Sequence, residues 1–200
     1  MNRIAVDIVL LPDEAMTGRA IEANADLVAR CGSEIVLHAE MCLPHISLAM
    51  GCIEPRSVEA VEGALADVWR ENPTGELVVT GVVTSLNARG QSVSVFALAK
   101  TPAIQKLHEE VMRATSPYVD YDVDEEMVYG AEPVTETTLA WIRHFPEKAA
   151  FGAFFPHITI GYGTVEAVMS FPMRFAPSRL AICHLGNHCT CRKVLGAVKL

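Results

Sequence analysis

The sequence contains one five-residue motif twice, as Pro44-His45-Ile46-Ser47-Leu48 and again as Pro156-His157-Ile158-Thr159-Ile160. Both copies read proline, histidine, isoleucine, hydroxyl residue, aliphatic residue, in a β-branched context that predicts a strand. Alternate side chains of a strand point to the same face, so each copy presents an imidazole and a hydroxyl together while its aliphatic residues enter a core. The two histidines are 112 positions apart (157 minus 45), which fits two halves related by approximate symmetry.

Length and composition predict one globular domain. Hydrophobic residues make up 50% of the 200 residues and charged residues 20%, which separates the chain from disordered and fibrous proteins. A chain of this length forms one domain or two small lobes that share a cleft, and we predict a single two-lobed domain over 1–200. The apolar run 4–11 is too short to span a membrane and lacks the basic start of a secretory signal. We therefore expect no membrane association and a cytoplasmic location.

The net charge restricts the partners that we expect. A formal charge of −8 argues against a broad nucleic-acid surface, because such surfaces neutralise many phosphates with Lys and Arg. A local pocket in an acidic protein can still bind a small phosphorylated molecule. We therefore expect a small nucleotide or an RNA end as the partner, and no pattern predicts a particular oligomer.

Hydrophobic periodicity predicts an α+β fold. Strands are predicted at 3–11, within 34–50, and at 76–86, 92–99, 179–185 and 192–199, and helices at 13–30, at 55–70, from 101 onward and at 135–144. The acidic segment 120–126 is expected to be a solvated loop. Helices and strands alternate irregularly and several strand pairs are joined by short turns, which favours α+β over a doubly wound parallel sheet.

Two H-x-[ST]-x elements on strands about a hundred residues apart resemble the two-histidine (2H) phosphoesterase superfamily, which includes 2′-5′ RNA ligase-like proteins and cyclic phosphodiesterases. The elements here are His45-Ile46-Ser47-Leu48 and His157-Ile158-Thr159-Ile160. The resemblance implies two pseudo-symmetric lobes, each an antiparallel sheet backed by helices, with both motifs in a central cleft. It covers nearly the whole chain, because the order of predicted strands and helices is also similar.

The catalytic hypothesis assigns a role to each motif residue. Histidine has an ordinary pKa of about 6.5, so modest shifts can keep one imidazole neutral and its partner protonated at physiological pH. For a 2′,3′-cyclic phosphate, or a related cyclic or 2′-5′ phosphodiester, one histidine accepts a proton from water and the other protonates the departing ribose oxygen. By the resemblance, His157 is the base and His45 the acid. Ser47 and Thr159 donate hydrogen bonds to the nonbridging oxygens, and the mechanism requires no metal or cofactor.

Two other functions remain open from the sequence. One is a non-catalytic nucleotide- or phosphate-binding module of the same fold. The other is a metal-dependent hydrolase that uses the Cys and His residues of the segment 183–191. Five potential zinc ligands fall within those nine positions, but their spacing does not form two matching pairs of the C-x₂₋₄-C type. We expect them to be ordinary strand and turn residues.

Several remaining side chains also carry expectations. The six cysteines are expected to be free and mostly buried thiols, because nothing in the sequence signals export. His108 and His144, on predicted helices, are expected to be exposed or capping residues. Candidate phosphate contacts are Arg143, Arg174 and Arg179, and candidate core aromatics are Phe151, Phe154 and Phe155. Tyr162 is expected near the cleft but outside the catalytic set. The substrate stays open among cyclic nucleotides, RNA ends, 2′-5′ oligonucleotides and ADP-ribose derivatives.

Overall fold

The computed structural model describes residues 3–87 and 89–200, and within them the chain forms eight strands and five α-helices. The strands are β1 (Ile4–Pro12), β2 (Ile46–Ile53), β3 (Leu77–Leu86), β4 (Ser92–Leu98), β5 (His157–Tyr162), β6 (Met173–Phe175), β7 (Pro177–Gly186) and β8 (Thr190–Lys199). The helices are α1 (Glu14–Cys31), α2 (Val58–Glu71), α3 (Pro102–Thr115), α4 (Glu136–Arg143) and α5 (Phe145–Lys148). The predicted α+β class is confirmed. None of the helices in the described ranges is both long and apolar enough to cross a bilayer.

The strands form two antiparallel sheets of four strands each. The first sheet has the order β2-β1-β7-β8 and the second has the order β5-β4-β3-β6, with every named pair antiparallel. The chain therefore starts in the first sheet, builds the whole second sheet, and returns to the first with β7 and β8. The two lobes have matching sheets, as predicted, but they are not successive halves of the sequence.

Both motif strands occupy an edge of their sheet. β2 is the first strand of one sheet and β5 the first strand of the other, and the two strands contact each other. A proline precedes each motif histidine, and an edge tolerates proline because no ladder hydrogen bond has to be donated on the open side. The fold thus brings the two copies of the motif to the same place between the lobes.

The alternation predicted for the motifs is confirmed. The four aliphatic side chains of the motifs are fully buried: Ile46, Leu48, Ile158 and Ile160. The motif histidines and hydroxyl residues, on the other face, are only partly buried. Helices α2 and α3 pack on the first sheet, and α1 packs on β5. These three helices cover the outer faces and leave the polar motif side chains between the lobes.

Two predicted segments have different local structure. Within 34–50, the regular strand begins only at Ile46, and the preceding residues form bends and the isolated bridges His38↔Cys42 and Leu43↔Cys191. The acidic segment 120–126 is not wholly a loop, since Asp120 bridges to Cys52 and a 3₁₀ turn begins at Glu125.

The expectation of six free thiols is wrong for one pair. Cys183 on β7 and Cys191 on β8 form a disulfide with their Cα atoms 5.5 Å apart, a separation suited to such a bond. The two cysteines meet because β7 and β8 pair as neighbouring antiparallel strands joined by a short turn, and residue spacing alone does not reveal which strands pair. The cysteines are mostly buried, as expected: Cys42, Cys52, Cys183 and Cys191 are buried, while Cys189 is half-buried and Cys31 is exposed.

Asn24 fixes α1 against the second motif strand. Its amide nitrogen donates to Ile35 O (2.9 Å) and to Ile160 O (2.7 Å), and its amide oxygen accepts from Leu37 N–H (2.8 Å). The side chain is buried, so no water can replace these bonds. One residue of α1 therefore holds β5 and the segment before β2 together.

Replacing Asn24 with leucine, which has a similar shape, leaves three buried backbone groups without a partner. We expect the free energy of unfolding to fall by about 3 kcal/mol or more, as measured by urea denaturation. Glu22→Leu, at an exposed position of the same helix, is the matched control and should change stability little. Equal stability of the two variants would contradict the role given to Asn24.

Candidate active site

The four motif side chains line one cavity between the lobes. This cavity has a volume of about 460 Å³, and His45, Ser47, His157 and Thr159 are all among its lining residues. Two of them come from the start of β2 and two from β5. The structure therefore brings together the four residues that the sequence singled out.

The two motif histidines are held in the same way. His45 Nδ1 lies 2.7 Å from the carbonyl oxygen of Leu43, and His157 Nδ1 lies 2.7 Å from the carbonyl oxygen of Phe155. A carbonyl oxygen can only accept, so Nδ1 carries the proton in both rings. In the neutral imidazole, Nε2 is then the nitrogen that can accept a proton. The carbonyl groups of Leu43 and Phe155 thus fix the tautomer in which Nε2 is available for acid–base catalysis.

Burial makes both imidazoles easier to deprotonate. It lowers the pKa of His45 to about 4, with a further small contribution from the nearby His157, and it lowers the pKa of His157 as well. Both shifts favour the neutral form of each ring near pH 7. A bound phosphodiester anion would favour the imidazolium form, so substrate itself can supply the charge that keeps one ring protonated.

Asp7 is the residue of this site that the sequence-based reasoning missed. Its side chain is completely buried, with Oδ2 2.6 Å from Ser47 Oγ and 3.5 Å from His45 Nε2. Burial raises the pKa of the Asp7 carboxyl well above its usual range. In the sequence, Asp7 only interrupts an apolar strand run. A lone acid at the middle of a buried strand was nevertheless a usable signal.

His108 was expected to be exposed or capping, and this is wrong. It is completely buried; its Nδ1 donates to Leu48 O (2.7 Å) and its Nε2 accepts from Phe151 N–H (2.7 Å). Its ring also stacks on Phe154, with the centroids 4.1 Å apart. His108 therefore connects β2 to the segment that leads into His157. Its helical spacing from Ile104 and Val111 placed it on the inner face of α3.

Aromatic side chains form part of the cavity wall. Trp141 and Phe155 both line it, with 40% and 47% of their surfaces exposed, and Phe155 stacks on His157 with ring centroids 5.4 Å apart. Of the three phenylalanines expected in the core, only Phe154 is buried; Phe151 is also exposed. The exposed rings offer flat apolar surface beside the motif histidines.

Tyr162 lies at the cavity, as expected. Its hydroxyl is 3.0 Å from His188 Nδ1, and both residues line the cavity. The backbone amide of His188 is in turn bound to Thr138 Oγ1 (2.9 Å), which ties α4 to the turn between β7 and β8. This network connects the end of β5 with α4 and with the turn between β7 and β8 at the cavity wall.

Positive charge at the cavity is sparse. Among the described lining residues, Lys148 is the one lysine or arginine. The three arginines considered as phosphate contacts do not line the cavity, and two form ion pairs elsewhere: Arg143 with Glu136 (3.4 Å) and Arg174 with Glu76 (2.9 Å). The cavity therefore suits a ligand with few negative charges.

The segment 183–191 does not assemble a metal site. Cys183 and Cys191 are joined to each other, and His184 Nε2 lies 3.0 Å from the carbonyl oxygen of Met127. In residues 3–87 and 89–200, no three His, Cys, Asp or Glu side chains are grouped so that they could hold a metal ion. The metal-dependent reading of this segment is therefore not supported by its geometry.

The family model described as the 2′-5′ RNA ligase superfamily matches residues 38–181, a span that includes both motifs. Among solved structures, the chain is similar to apo LigT from Escherichia coli, with 14% identity, a TM-score of 0.48, and coverage of 100% of this chain and 99% of that one. No curated protein matches the sequence.

Proposed function

Since this chain belongs to the 2′-5′ RNA ligase superfamily of phosphoester-acting proteins, we propose that it hydrolyses a 2′,3′-cyclic nucleotide phosphate by acid–base catalysis with two histidines. One observation carries the proposal. His45 and His157 line the same cavity, and each has its Nδ1 bound to a backbone carbonyl so that Nε2 is the nitrogen available for proton transfer. Two such groups near one phosphate are what an in-line displacement needs.

In the proposed step, two protons move as water replaces a ribose oxygen on phosphorus. Water attacks phosphorus while His157 Nε2 takes its proton, and the bond from phosphorus to one ribose oxygen breaks as His45 Nε2 protonates that oxygen. The product is a nucleoside monophosphate. His157 ends the step protonated and His45 ends it neutral, and proton exchange with solvent restores the starting state of both rings. Ser47 and Thr159 donate hydrogen bonds to the nonbridging oxygens, which carry the growing negative charge as phosphorus becomes five-coordinate.

The residues that line the cavity favour a substrate that consists of a nucleoside with a single phosphate group. Trp141 and Phe155 present exposed rings on which a base can stack, and such stacking contributes about 1–3 kcal/mol per base. With Lys148 as the lining cation, a molecule with several phosphates would leave most of its charge without a partner. A 2′,3′-cyclic mononucleotide therefore fits better than an ADP-ribose derivative.

The proposal predicts turnover that needs only protein side chains. Nucleoside 2′,3′-cyclic monophosphates, ADP-ribose 1″,2″-cyclic phosphate and 2′-5′ oligoadenylate are incubated with the protein in the presence of EDTA, and products are separated by chromatography. We expect the cyclic mononucleotides to open to one monophosphate isomer at a rate that EDTA does not change.

Two results would contradict this function. One is the absence of turnover of every phosphodiester in the panel. The other is activity that disappears with EDTA and returns with a divalent cation. If an oligonucleotide with a 5′-hydroxyl is joined to the cyclic phosphate instead of water, the same histidines act in ligation and the hydrolytic assignment is wrong.

A further inference from the structure

The environment of Asp7 is apolar apart from two polar neighbours. Asp7 lies in β1, between β2 and β7, where its register partners are Met50 and Cys183. On the same face of β1 as Asp7 lie Val9 and Leu11. Both belong to a buried apolar cluster that includes the disulfide between β7 and β8. An acid with no role would be costly at this position, because an apolar residue could fill the same space without desolvation.

The polar contacts of Asp7 all involve the motif at the start of β2. Oδ2 is 2.6 Å from Ser47 Oγ and 3.5 Å from His45 Nε2, while Oδ1 is buried without a hydrogen-bond partner. Within 3–87 and 89–200, His45 is the one basic side chain that comes within 4 Å of this carboxyl group. The other titratable neighbour is the Cys189 thiol, whose pKa is raised by burial and by Asp7; the cysteines of β7 and β8 are disulfide-bonded and do not titrate.

The protonation state of Asp7 decides what Ser47 can do. A serine hydroxyl has one proton and two lone pairs. If Asp7 is ionised, it can only accept, so the Ser47 proton points at Asp7 and only lone pairs face a bound phosphate. If Asp7 is protonated, its own proton can point at Ser47 Oγ and the Ser47 proton is free for the phosphate. Only the second arrangement lets Ser47 stabilise a nonbridging oxygen.

We propose that Asp7 is a positioning residue that acts as a neutral carboxylic acid: it donates a hydrogen bond to Ser47 Oγ and thereby directs the Ser47 hydroxyl proton toward the substrate phosphate. The proposal deepens the proposed function and rests on it for the identity of the substrate. Asp7 acts through Ser47 and does not itself touch the reacting atoms.

Burial and charge agree with this assignment. Burial raises the pKa of Asp7 and lowers the pKa of His45, and both shifts favour two neutral groups over an ion pair. The unpartnered Oδ1 is also better tolerated as the carbonyl oxygen of an acid than as half of a carboxylate, because burying an uncompensated charge costs far more than burying a neutral polar atom. A neutral Asp7 adds no repulsion when an anionic substrate enters.

Two substitutions of Asp7 distinguish its possible roles. In Asp7→Asn the amide N–H₂ can donate to Ser47 Oγ in place of the acid, so we expect kcat to stay within about tenfold of the wild-type value. In Asp7→Leu the shape is kept but the donor is lost, so kcat should fall by about 10²-fold with little change in KM, as for Ser47→Ala. Combining Asp7→Leu with Ser47→Ala should add little to the loss caused by Ser47→Ala, because both act through one hydroxyl.

An infrared measurement tests the protonation state without any substrate. We expect the wild-type protein at neutral pH to show the C=O stretching band of a buried carboxylic acid, and Asp7→Asn to lack it. Asp67→Asn, which changes an exposed carboxylate, is the control and should keep the band. This readout does not depend on turnover, so failure of the proposed function and failure of the Asp7 assignment can be told apart.

Three results would overturn the assignment. A loss of kcat in Asp7→Asn as large as that in His45→Ala would show that the negative charge of Asp7 is needed. Wild-type kcat in Asp7→Leu would show that Asp7 does not position Ser47. A neutral-pH infrared spectrum without the acid band would show that Asp7 is ionised. Thermal melts accompany each variant; because the infrared test uses the wild-type protein, it decides even if Asp7→Leu does not fold.

Discussion

Alanine at His45 or at His157 is expected to lower kcat for cyclic phosphate hydrolysis by about 10²- to 10⁴-fold, the range for loss of a general acid or base. The reason is the shared cavity: each imidazole handles one of the two protons that move as phosphorus changes partners. Changing both residues should cost little more than changing one, because the two groups act in one step. The measurement is kcat and KM for each variant with the cyclic mononucleotide that the wild-type protein hydrolyses fastest.

A surface histidine provides the control for these variants. His144 has half of its side chain exposed and does not line the cavity, so His144→Ala should keep the wild-type kcat. Circular dichroism melts show whether each alanine variant folds. Wild-type turnover in a folded His45→Ala or His157→Ala protein would remove that histidine from the mechanism.

Removing the motif hydroxyls is expected to have the second largest effect. Ser47→Ala and Thr159→Val should each lower kcat by about 10²- to 10³-fold, because a donor aimed at charge that develops in the transition state contributes on this scale. KM should change much less, since the ground-state phosphate gains less from the same bond. Steady-state kinetics of the two single variants and their combination provide the test.

A strand threonine outside the cavity serves as the matched control. Thr80 on β3 is exposed and bonds the carbonyl oxygen of Ala97, so Thr80→Val makes the same chemical change at a position with no assigned role. We expect it to keep wild-type kcat. If Ser47→Ala and Thr159→Val raised KM and left kcat intact, the hydroxyls would serve binding alone and the transition-state role would be refuted.

Local sequence patterns predicted the elements and the polar face of the site. Period-two alternation placed Ile46 and Ile158 in the core, and with them the positions of the neighbouring histidines, because side-chain direction in a strand depends only on parity. Local patterns did not reveal that β7 and β8 complete the first sheet. Strand pairing across more than a hundred residues depends on which faces are left uncovered by the rest of the fold, and periodicity within one strand carries no such information.

The residues that sequence-based reasoning missed depend on three-dimensional neighbours. Asp7 gains its partners only when β1 pairs with β2, and Cys183 meets Cys191 only when β7 pairs with β8. His108 is different, because its spacing on α3 already placed it on the inner face. Helical spacing therefore predicts that His108 is buried, and a buried histidine far from the motifs in the sequence indicates a structural role.

The proposal assigns the role of general acid to His45 and the role of general base to His157, and the two roles can be tested separately. A general acid is needed because a ribose oxygen leaves poorly without a proton, whereas a thiolate leaves readily without one. Replacing the departing ribose oxygen of the cyclic substrate with sulfur therefore removes the need for the acid and keeps the need for the base. Product identity from the substrate panel shows which ribose oxygen departs and so which atom to replace.

Kinetics of His45→Ala and His157→Ala with this sulfur-substituted substrate test the central claim most directly, namely that the two imidazoles of the cavity act as an acid–base pair on one phosphate. We expect His45→Ala to recover to within about tenfold of the wild-type rate, since the acid contributes about 10²- to 10⁴-fold only when a proton must be delivered, while His157→Ala stays defective. Equal defects of both variants with the oxygen and the sulfur substrate would contradict the claim.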